Sequence, residues 1–189
     1  FGVNAFDDIP FTVFVAKQLR QQQCAGQGAA CNVTININVA PGNYTIGTFF
    51  GIDLSSVIPL LGSGAALTTI AGNAGATPIS VNGSGIEISG FTVTGASVAN
   101  QAGVDVAPGS TGVVLRRNVI RGNSIGVRAA AGSGVAASNK TIVSNGTGMP
   151  TSGAAAVLEI SNNIVANNTG TGVQATTGAV VRDQYNLYF

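Results

Sequence analysis

A motif of eight residues returns four times in the second half of the chain, and it constrains the fold more than any other feature. The copies begin at Ile88, Leu115, Ser138 and Ile160, and each ends in Gly or Asn. They recur every 22 to 27 residues, a spacing typical of solenoids. Each copy consists of short β-branched runs separated by Gly and Asn, without an apolar stripe of helical length. The repeat therefore predicts stacked β-coils instead of helical or leucine-rich units.

Stacking the four copies predicts which side chains enter the core, because side chains alternate along a strand. The predicted inward columns are Ile86, Val113, Ala136 and Leu158; Ile88, Leu115, Ser138 and Ile160; and Val93, Ile120, Val143 and Val165. The turn column between them contains Asn118 and Asn163. We interpret these two as structural ladder residues in a left-handed conformation, with each amide stacked on the next coil. About seven coils would give a rod of roughly 30–35 Å.

Three segments carry a resemblance to a known family. They are VAPGNYT (39–45), LGSGAALTTIAG (61–72) and ISGFTVTG (88–95). They resemble the opening coils of right-handed parallel β-helix proteins of the pectate-lyase-like superfamily, and the resemblance runs from about Val33 to Phe189. It implies an all-β, right-handed parallel β-helix. It implies little about function, because this fold hosts lyases, hydrolases, tailspikes and adhesins.

Residues 1–32 differ from the repeats, so we expect an N-terminal cap there and the β-helix over 33–189. Pro10 is suited to the first turn of a helix. The open end of a solenoid exposes core and unpaired backbone, so an amphipathic helix is expected to cover it. A helix that binds a partner is the alternative. The face predicted to be buried is formed by Phe11, Phe14, Val15 and Leu19.

The two cysteines, Cys24 and Cys31, bracket six small or polar residues and are predicted to form a disulfide. Two free buried thiols are the alternative. The chain contains no His and no second Cys pair, so a zinc site is not favoured. A disulfide is typical of oxidising compartments, which predicts an extracellular or cell-surface location. The chain begins with Phe1 and lacks a signal peptide, so we expect a processed or excised piece.

Charged residues make up 8% of the chain, far below the roughly 25% of ordinary domains. The net charge is +1, so electrostatics predict neither nucleic acid nor an anionic membrane as a partner. No apolar run approaches the roughly 18 residues of a membrane helix, so no membrane span is predicted.

Catalytic chemistry would need grouped carboxylates, and the repeats carry at most one per coil. Glycoside hydrolysis needs two carboxylates, one on each side of the bond that is cleaved. Glu87 and Glu159 share a column but lie about three coils, roughly 14 Å, apart by strand spacing, too far to share one ion. The adjacent pair Asp7-Asp8 suits a helix entry. We therefore predict no catalytic residue, metal or cofactor and do not favour an enzyme.

The densest charge in the sequence is a basic cluster. It is formed by Arg116, Arg117, Arg121 and Lys140, with Lys140 stacked over Arg117 in the predicted register. One interpretation is a contact with an acidic glycan; the other is a solubilising face on a nearly neutral rod. The same register places Asp105 beside Arg128 as an exposed ion pair.

Two functions remain open at this stage. The first is a non-catalytic extracellular structural or adhesive protein that assembles end to end into homo-oligomers or filaments. The C-terminal coil and Phe1, Phe6 or Phe49-Phe50 are candidate contacts, although Phe49-Phe50 also suit a core. The second is a polysaccharide-binding or lyase-like module. A fragment of a larger surface protein is a further alternative.

Overall fold

The computed structural model describes residues 2–5, 8–27, 31, 33–46, 52–55, 57–73 and 76–189. Within these ranges the chain forms one helix, α1 (Ile9–Gln23), and 21 strands. Asp7 and four phenylalanines considered above as end contacts lie outside the described residues. These phenylalanines are Phe1, Phe6, Phe49 and Phe50.

The strands form three parallel sheets. Sheet A contains β1 (Gly2–Ala5), β2 (Asn36–Val39), β5 (Leu60–Gly62), β8 (Glu87–Ser89), β11 (Val113–Arg116), β14 (Gly134–Ser138), β17 (Val157–Ser161) and β20 (Val180–Gln184). Sheet B contains β3 (Gly42–Ile46), β6 (Thr68–Gly72), β9 (Thr92–Thr94), β12 (Val119–Arg121), β15 (Thr141–Val143), β18 (Ile164–Ala166) and β21 (Leu187–Tyr188). Sheet C contains β4 (Ile52–Leu54), β7 (Ile79–Val81), β10 (Ala102–Val106), β13 (Ile125–Ala129), β16 (Met149–Ser152) and β19 (Val173–Thr176).

Successive strands run through sheets A, B and C in turn, and each pairs in parallel with its equivalent one coil away. Six complete coils begin at β2, β5, β8, β11, β14 and β17. Strands β20 and β21 make a partial seventh coil, and β1 pairs with the outer edge of β2. The predicted parallel β-helix is confirmed, and its size is close to the seven coils expected.

The core follows the predicted columns in three copies of the motif and departs from them in one. Ile88, Leu115 and Ile160 share a column, as do Val93, Ile120 and Val165. The third copy was placed wrongly, by one residue. Its inward residues are Val135, Ala137 and Ile142, where Ala136, Ser138 and Val143 were expected. Consecutive β-branched residues such as Ile142 and Val143 fit a core in either register, so period two alone does not separate them.

The corner between sheets A and B has two residues in each of the last five coils. The first of the two has a left-handed backbone, with φ between +52° and +80°; these residues are Gly90, Arg117, Asn139, Asn162 and Tyr185. The second points inward; these residues are Phe91, Asn118, Lys140, Asn163 and Asn186. Asn118 and Asn163 thus lie in a ladder, but the left-handed residue is the one before each of them, which corrects the predicted conformation.

The ladder joins neighbouring coils through both atoms of each amide. Oδ1 of Asn163 accepts from the Lys140 N–H at 3.0 Å, and its Nδ2 donates to the Ala137 carbonyl at 2.9 Å. Asn118 makes the same two bonds to its preceding coil. Buried amides satisfied in this way fix the backbone of the corner.

A second ladder, missed in the sequence analysis, lies at the other end of the sheet B strands. Asn123, Asn145 and Asn168 form it, and each donates from Nδ2 to a carbonyl of the preceding coil. The signal was available, because these residues recur at steps of 22 and 23. Sheet B is therefore held by an amide ladder on both sides.

Helix α1 lies against β1, β2 and β4 at the N-terminal end of the stack. Asp8 caps it by accepting from the Phe11 N–H at 2.9 Å. The predicted face is wrong, because the helix buries Ile9, Thr12, Val13 and Ala16. Of the four residues expected inside, Phe11 is 62% exposed, Phe14 55% and Leu19 38%, and Val15 is half-buried. Small residues such as Ala16 and Thr12 let the helix approach the first coil more closely than phenylalanines would.

The predicted disulfide between Cys24 and Cys31 is present, directly after the last turn of α1. Nearby, Arg20 Nε donates to the Val33 carbonyl at 3.3 Å. The helix is thus joined to the start of the β-helix both covalently and by a hydrogen bond.

Candidate functional site

Every carboxylate in the described part of the chain is held by another group of the protein. Asp8 caps α1, and Asp183 accepts from Asn186 Nδ2 and from the Tyr188 hydroxyl. The remaining four form ion pairs; the pairs are Asp53–Lys17, Glu87–Arg116, Asp105–Arg128 and Glu159–Arg182. In this structure the described carboxylates are therefore engaged in contacts within the fold.

The ion pairs connect neighbouring layers of the stack. Asp105 and Arg128 are partners in adjacent strands, as predicted, and form two bonds of 2.9 and 2.5 Å. The hydrogen bond to Asp105 raises the pKa of Arg128. Burial raises the pKa of Asp53, but hydrogen bonds from Asn82 and Lys17 outweigh it, so this pKa lies below its ordinary value.

The basic cluster is smaller than the sequence suggested. Arg116 is committed to Glu87 at 2.7 Å. Lys140 does not lie over Arg117: it stands in the first amide ladder next to Asn118, is 2% exposed, and is removed from the surface cluster. Its Nζ has no hydrogen-bond partner, and burial lowers its pKa well below the ordinary value. Arg117 and Arg121 remain, both exposed and without a carboxylate partner among the described residues.

Arg117 belongs to a row of exposed side chains that the sequence analysis did not identify. We call it the corner ridge: Arg117, Asn139, Asn162 and Tyr185, the left-handed corner residues of four successive coils. Next to it on sheet A runs a parallel column of outward side chains, Arg116, Ser138, Ser161 and Gln184. With about 4.8 Å between coils, the ridge is about 14 Å long.

Two cavities lie at the ends of the rod. One of about 500 Å³ at the C-terminal coil is lined by apolar residues that include Val165, Val173 and Phe189, and by Asp183. Burial and the bond to Asp183 raise the pKa of Tyr188 beside it. The other, about 730 Å³, lies beside α1 and is lined by Phe14, among others.

Two features of the described ranges concern metal ligands and membrane-spanning helices. Within them, no three His, Cys, Asp or Glu side chains are grouped so that they could hold a metal ion. No helix described here is both long and apolar enough to cross a membrane.

Comparison with known proteins identifies the repeats. The family model described as "Right handed beta helix region" matches residues 63–187, about two thirds of the chain. No curated protein matches the chain, and no solved structure matches it.

Proposed function

The chain belongs to the right-handed β-helix family, and from that premise we propose that it is a non-catalytic structural or adhesive rod of the cell exterior. The observation that carries the proposal is the commitment of each described carboxylate to a cap, an ion pair or a hydrogen bond within the fold. Hydrolases of polysaccharides need a pair of carboxylates that face the substrate. A non-catalytic rod can instead use its carboxylates in ion pairs that join neighbouring layers of the stack.

The ion pairs are suited to holding a stack in register more than to adding stability. Asp105 and Arg128 have side chains about a third exposed, and a pair of this kind contributes only about 0–1 kcal/mol. A slipped register would separate each carboxylate from its cation, so the ion pairs favour the correct register of the coils. The surface carries few charges and is rich in Ser, Thr and Asn.

The disulfide supports the location. The Cys24–Cys31 bridge closes a short loop beside α1, and such bridges persist outside the reducing cytosol. We therefore place the rod on the cell surface or in the surrounding medium.

We further propose that the rods associate end to end. At the C-terminal coil, Tyr185 is 85% exposed, Phe189 74% and Leu187 51%. At the opposite end, Phe11 and Phe14 on α1 are more than half exposed. Exposed apolar groups at two different ends favour a heterologous contact, which propagates when it does not close into a ring.

Electron microscopy of the purified chain, with sedimentation velocity over a range of concentrations, tests this association. We expect rods that lengthen as concentration rises, and Phe11→Ser with Phe14→Ser should shorten them while the circular dichroism spectrum stays unchanged. Monomers at every concentration would refute the end-to-end contact.

The non-catalytic part is tested separately by incubating the protein with acidic and neutral polysaccharides. We expect neither reducing ends nor unsaturated products to accumulate. Turnover that disappears when one of the paired carboxylates is replaced by its amide would refute this part of the proposal.

A further inference from the structure

The chain contains two Asn-Gly dipeptides, Asn82-Gly83 and Asn145-Gly146, and the fold places them in different surroundings. Both glycines are required by close packing, because a Cβ at Gly83 or Gly146 would lie 2.6 or 2.5 Å from a carbonyl oxygen of the preceding coil. The two dipeptides therefore have the same covalent chemistry and differ in what surrounds the asparagine.

The side chain of Asn145 is held in the second amide ladder. It is 1% exposed, its Oδ1 accepts from the Asn123 N–H at 3.1 Å, and its Nδ2 donates to the Ile120 carbonyl at 3.0 Å. The N–H of the following Gly146 donates to the Asn123 carbonyl at 2.8 Å. Hydrogen bonds to the preceding coil thus hold both the amide and the backbone nitrogen next to it.

The side chain of Asn82 lies outside both ladders, directly after β7, and it is exposed. In the described structure it makes one hydrogen bond, from Nδ2 to Oδ1 of Asp53 at 2.7 Å. The N–H of Gly83 has no acceptor among the described residues. The Asn82 side chain can therefore turn towards that nitrogen after giving up a single contact at the surface.

We propose that Asn82 is a site of spontaneous deamidation in the folded protein and that the fold protects Asn145 from the same reaction. The Gly83 backbone nitrogen attacks Cγ of Asn82 and forms an N–Cγ bond, while the Cγ–Nδ2 bond breaks. Ammonia leaves with the proton that the backbone nitrogen gives up. Water then opens the cyclic imide at one of its two carbonyls, which yields aspartate or isoaspartate. Glycine favours the attack because no Cβ shields its nitrogen.

The reaction changes the contact at which α1 meets the first coil. Asp53 on β4 accepts from Lys17 Nζ at 3.0 Å, and this ion pair joins α1 to β4. Among the described residues, Lys17 is the charged group that faces Asp53, and the Asn82 amide faces it from the other side. A carboxylate at position 82 replaces the donor of that 2.7 Å bond by a second negative charge. Two like charges in contact then weaken the attachment of α1.

Peptide mapping by mass spectrometry of the full chain, aged at mildly alkaline pH, tests the assignment. We expect Asn82 to become a mixture of aspartate and isoaspartate. Asn145 should react about a hundredfold more slowly, which corresponds to about 2.8 kcal/mol. The same chain aged in guanidinium chloride should lose this difference, because unfolding frees both amides. Asn82→Gln is the matched control; it keeps an amide at the site and should show no conversion there, since the ring it would form is larger.

Asn82→Asp reproduces the product and tests its effect on the fold. In urea denaturation at pH 7 we expect its equilibrium constant for folding to be about tenfold below that of the parent, or about 1.4 kcal/mol. The difference should shrink towards pH 4. There one carboxyl of the pair takes up a proton and donates to the other, so the stability that this proton supplies is present at low pH and is lost as the pH rises.

Two results would overturn the assignment: equal conversion of Asn82 and Asn145 in the folded chain, or an Asn82 that stays intact while the unfolded chain reacts. An Asn82→Asp variant as stable as the parent at pH 7 would overturn the effect on the attachment of α1. These outcomes are independent of the non-catalytic role proposed above, which depends on other carboxylates as well.

Discussion

Replacing Lys140 with Asn should stabilise the protein, and the structure allows the size of the effect to be worked out. Lys140 interrupts a column that otherwise continues through Asn118, Asn163 and Asn186. By the pattern of its neighbours, an amide at this position would accept from the Asn118 N–H and donate to the Leu115 carbonyl. The equivalent bonds of Asn163 measure 3.0 and 2.9 Å. The lysine offers neither, and its Nζ is buried without a partner.

The largest contribution to the difference in stability comes from the protonation of the Lys140 amine. Burial lowers the pKa of Lys140 well below its ordinary 10.5. Between the folded and unfolded pKa values the unfolded chain therefore binds one more proton, and the stability of the parent rises with pH across that window. Each pH unit is worth about 1.4 kcal/mol. At pH 7 the buried lysine therefore destabilises the parent, and this cost falls as the pH rises toward 10.5. In Lys140→Asn, two new hydrogen bonds would add about 2 kcal/mol to the free energy of unfolding. The loss of about three buried methylenes would remove about 2.4 kcal/mol.

Urea denaturation followed by circular dichroism, repeated from pH 6 to pH 10.5, measures these contributions. We expect Lys140→Asn to exceed the parent in free energy of unfolding at pH 7, with the difference falling by about 1.4 kcal/mol per pH unit between the two pKa values of the lysine and vanishing near pH 10.5. Lys140→Met is the matched control, because it keeps an apolar side chain of similar length without the amine. It should also remove the pH dependence. Equal stability of all three proteins at pH 7, with equal slopes, would show that Lys140 is not buried as an uncharged amine.

Five further substitutions test other parts of the fold by the same urea assay. Asn145→Ala should cost about 2–3 kcal/mol, because the second ladder loses both a donor and an acceptor; a cost below about 0.5 kcal/mol would contradict it. Gly148→Ala should destabilise, since a Cβ there overlaps a carbonyl oxygen of the next coil, whereas Gly134→Ala, with no atom closer than 3.7 Å, should be tolerated. Ile120→Asp should unfold the rod through a buried unpaired charge, and Val143→Asp, which is half-buried, should be much milder; the reverse order would disprove the register.

The architecture was predictable because several independent signals agreed. Short β-branched runs, recurring Asn and Gly, and a period in the twenties all point to stacked coils. The register of the third copy was not predictable by the same means. There the buried position of the ladder holds Lys140, the residue type least expected in a core, and the predicted register placed this lysine on the surface over Arg117 instead. Only the paired strands reveal which residue is inside.

The buried face of the N-terminal helix could not be predicted from the sequence for a related reason. The segment offers two apolar faces, and periodicity identifies each equally well. Which face is buried depends on how closely α1 approaches β4, and close approach favours Ala16 over Phe14. The corner ridge was missed for a third reason. Two of its members are Asn, but Arg117 and Tyr185 are unlike them, and all four share only a backbone angle and a place in the stack.

The coils differ in length at only some of their bends. From β8 onward the A–B corner keeps two residues in every coil, while the stretch from sheet B to sheet C varies between β9–β10 and β12–β13, and so does the return from C to A. A peptide inserted in the return from C to A would bulge outward and leave both amide ladders undisturbed, whereas the stretch from B to C carries the second ladder. Insertion at the A–B corner would break the first ladder. The rod is thus a scaffold whose A–B corner keeps a constant length, while the return from C to A accepts new loops coil by coil.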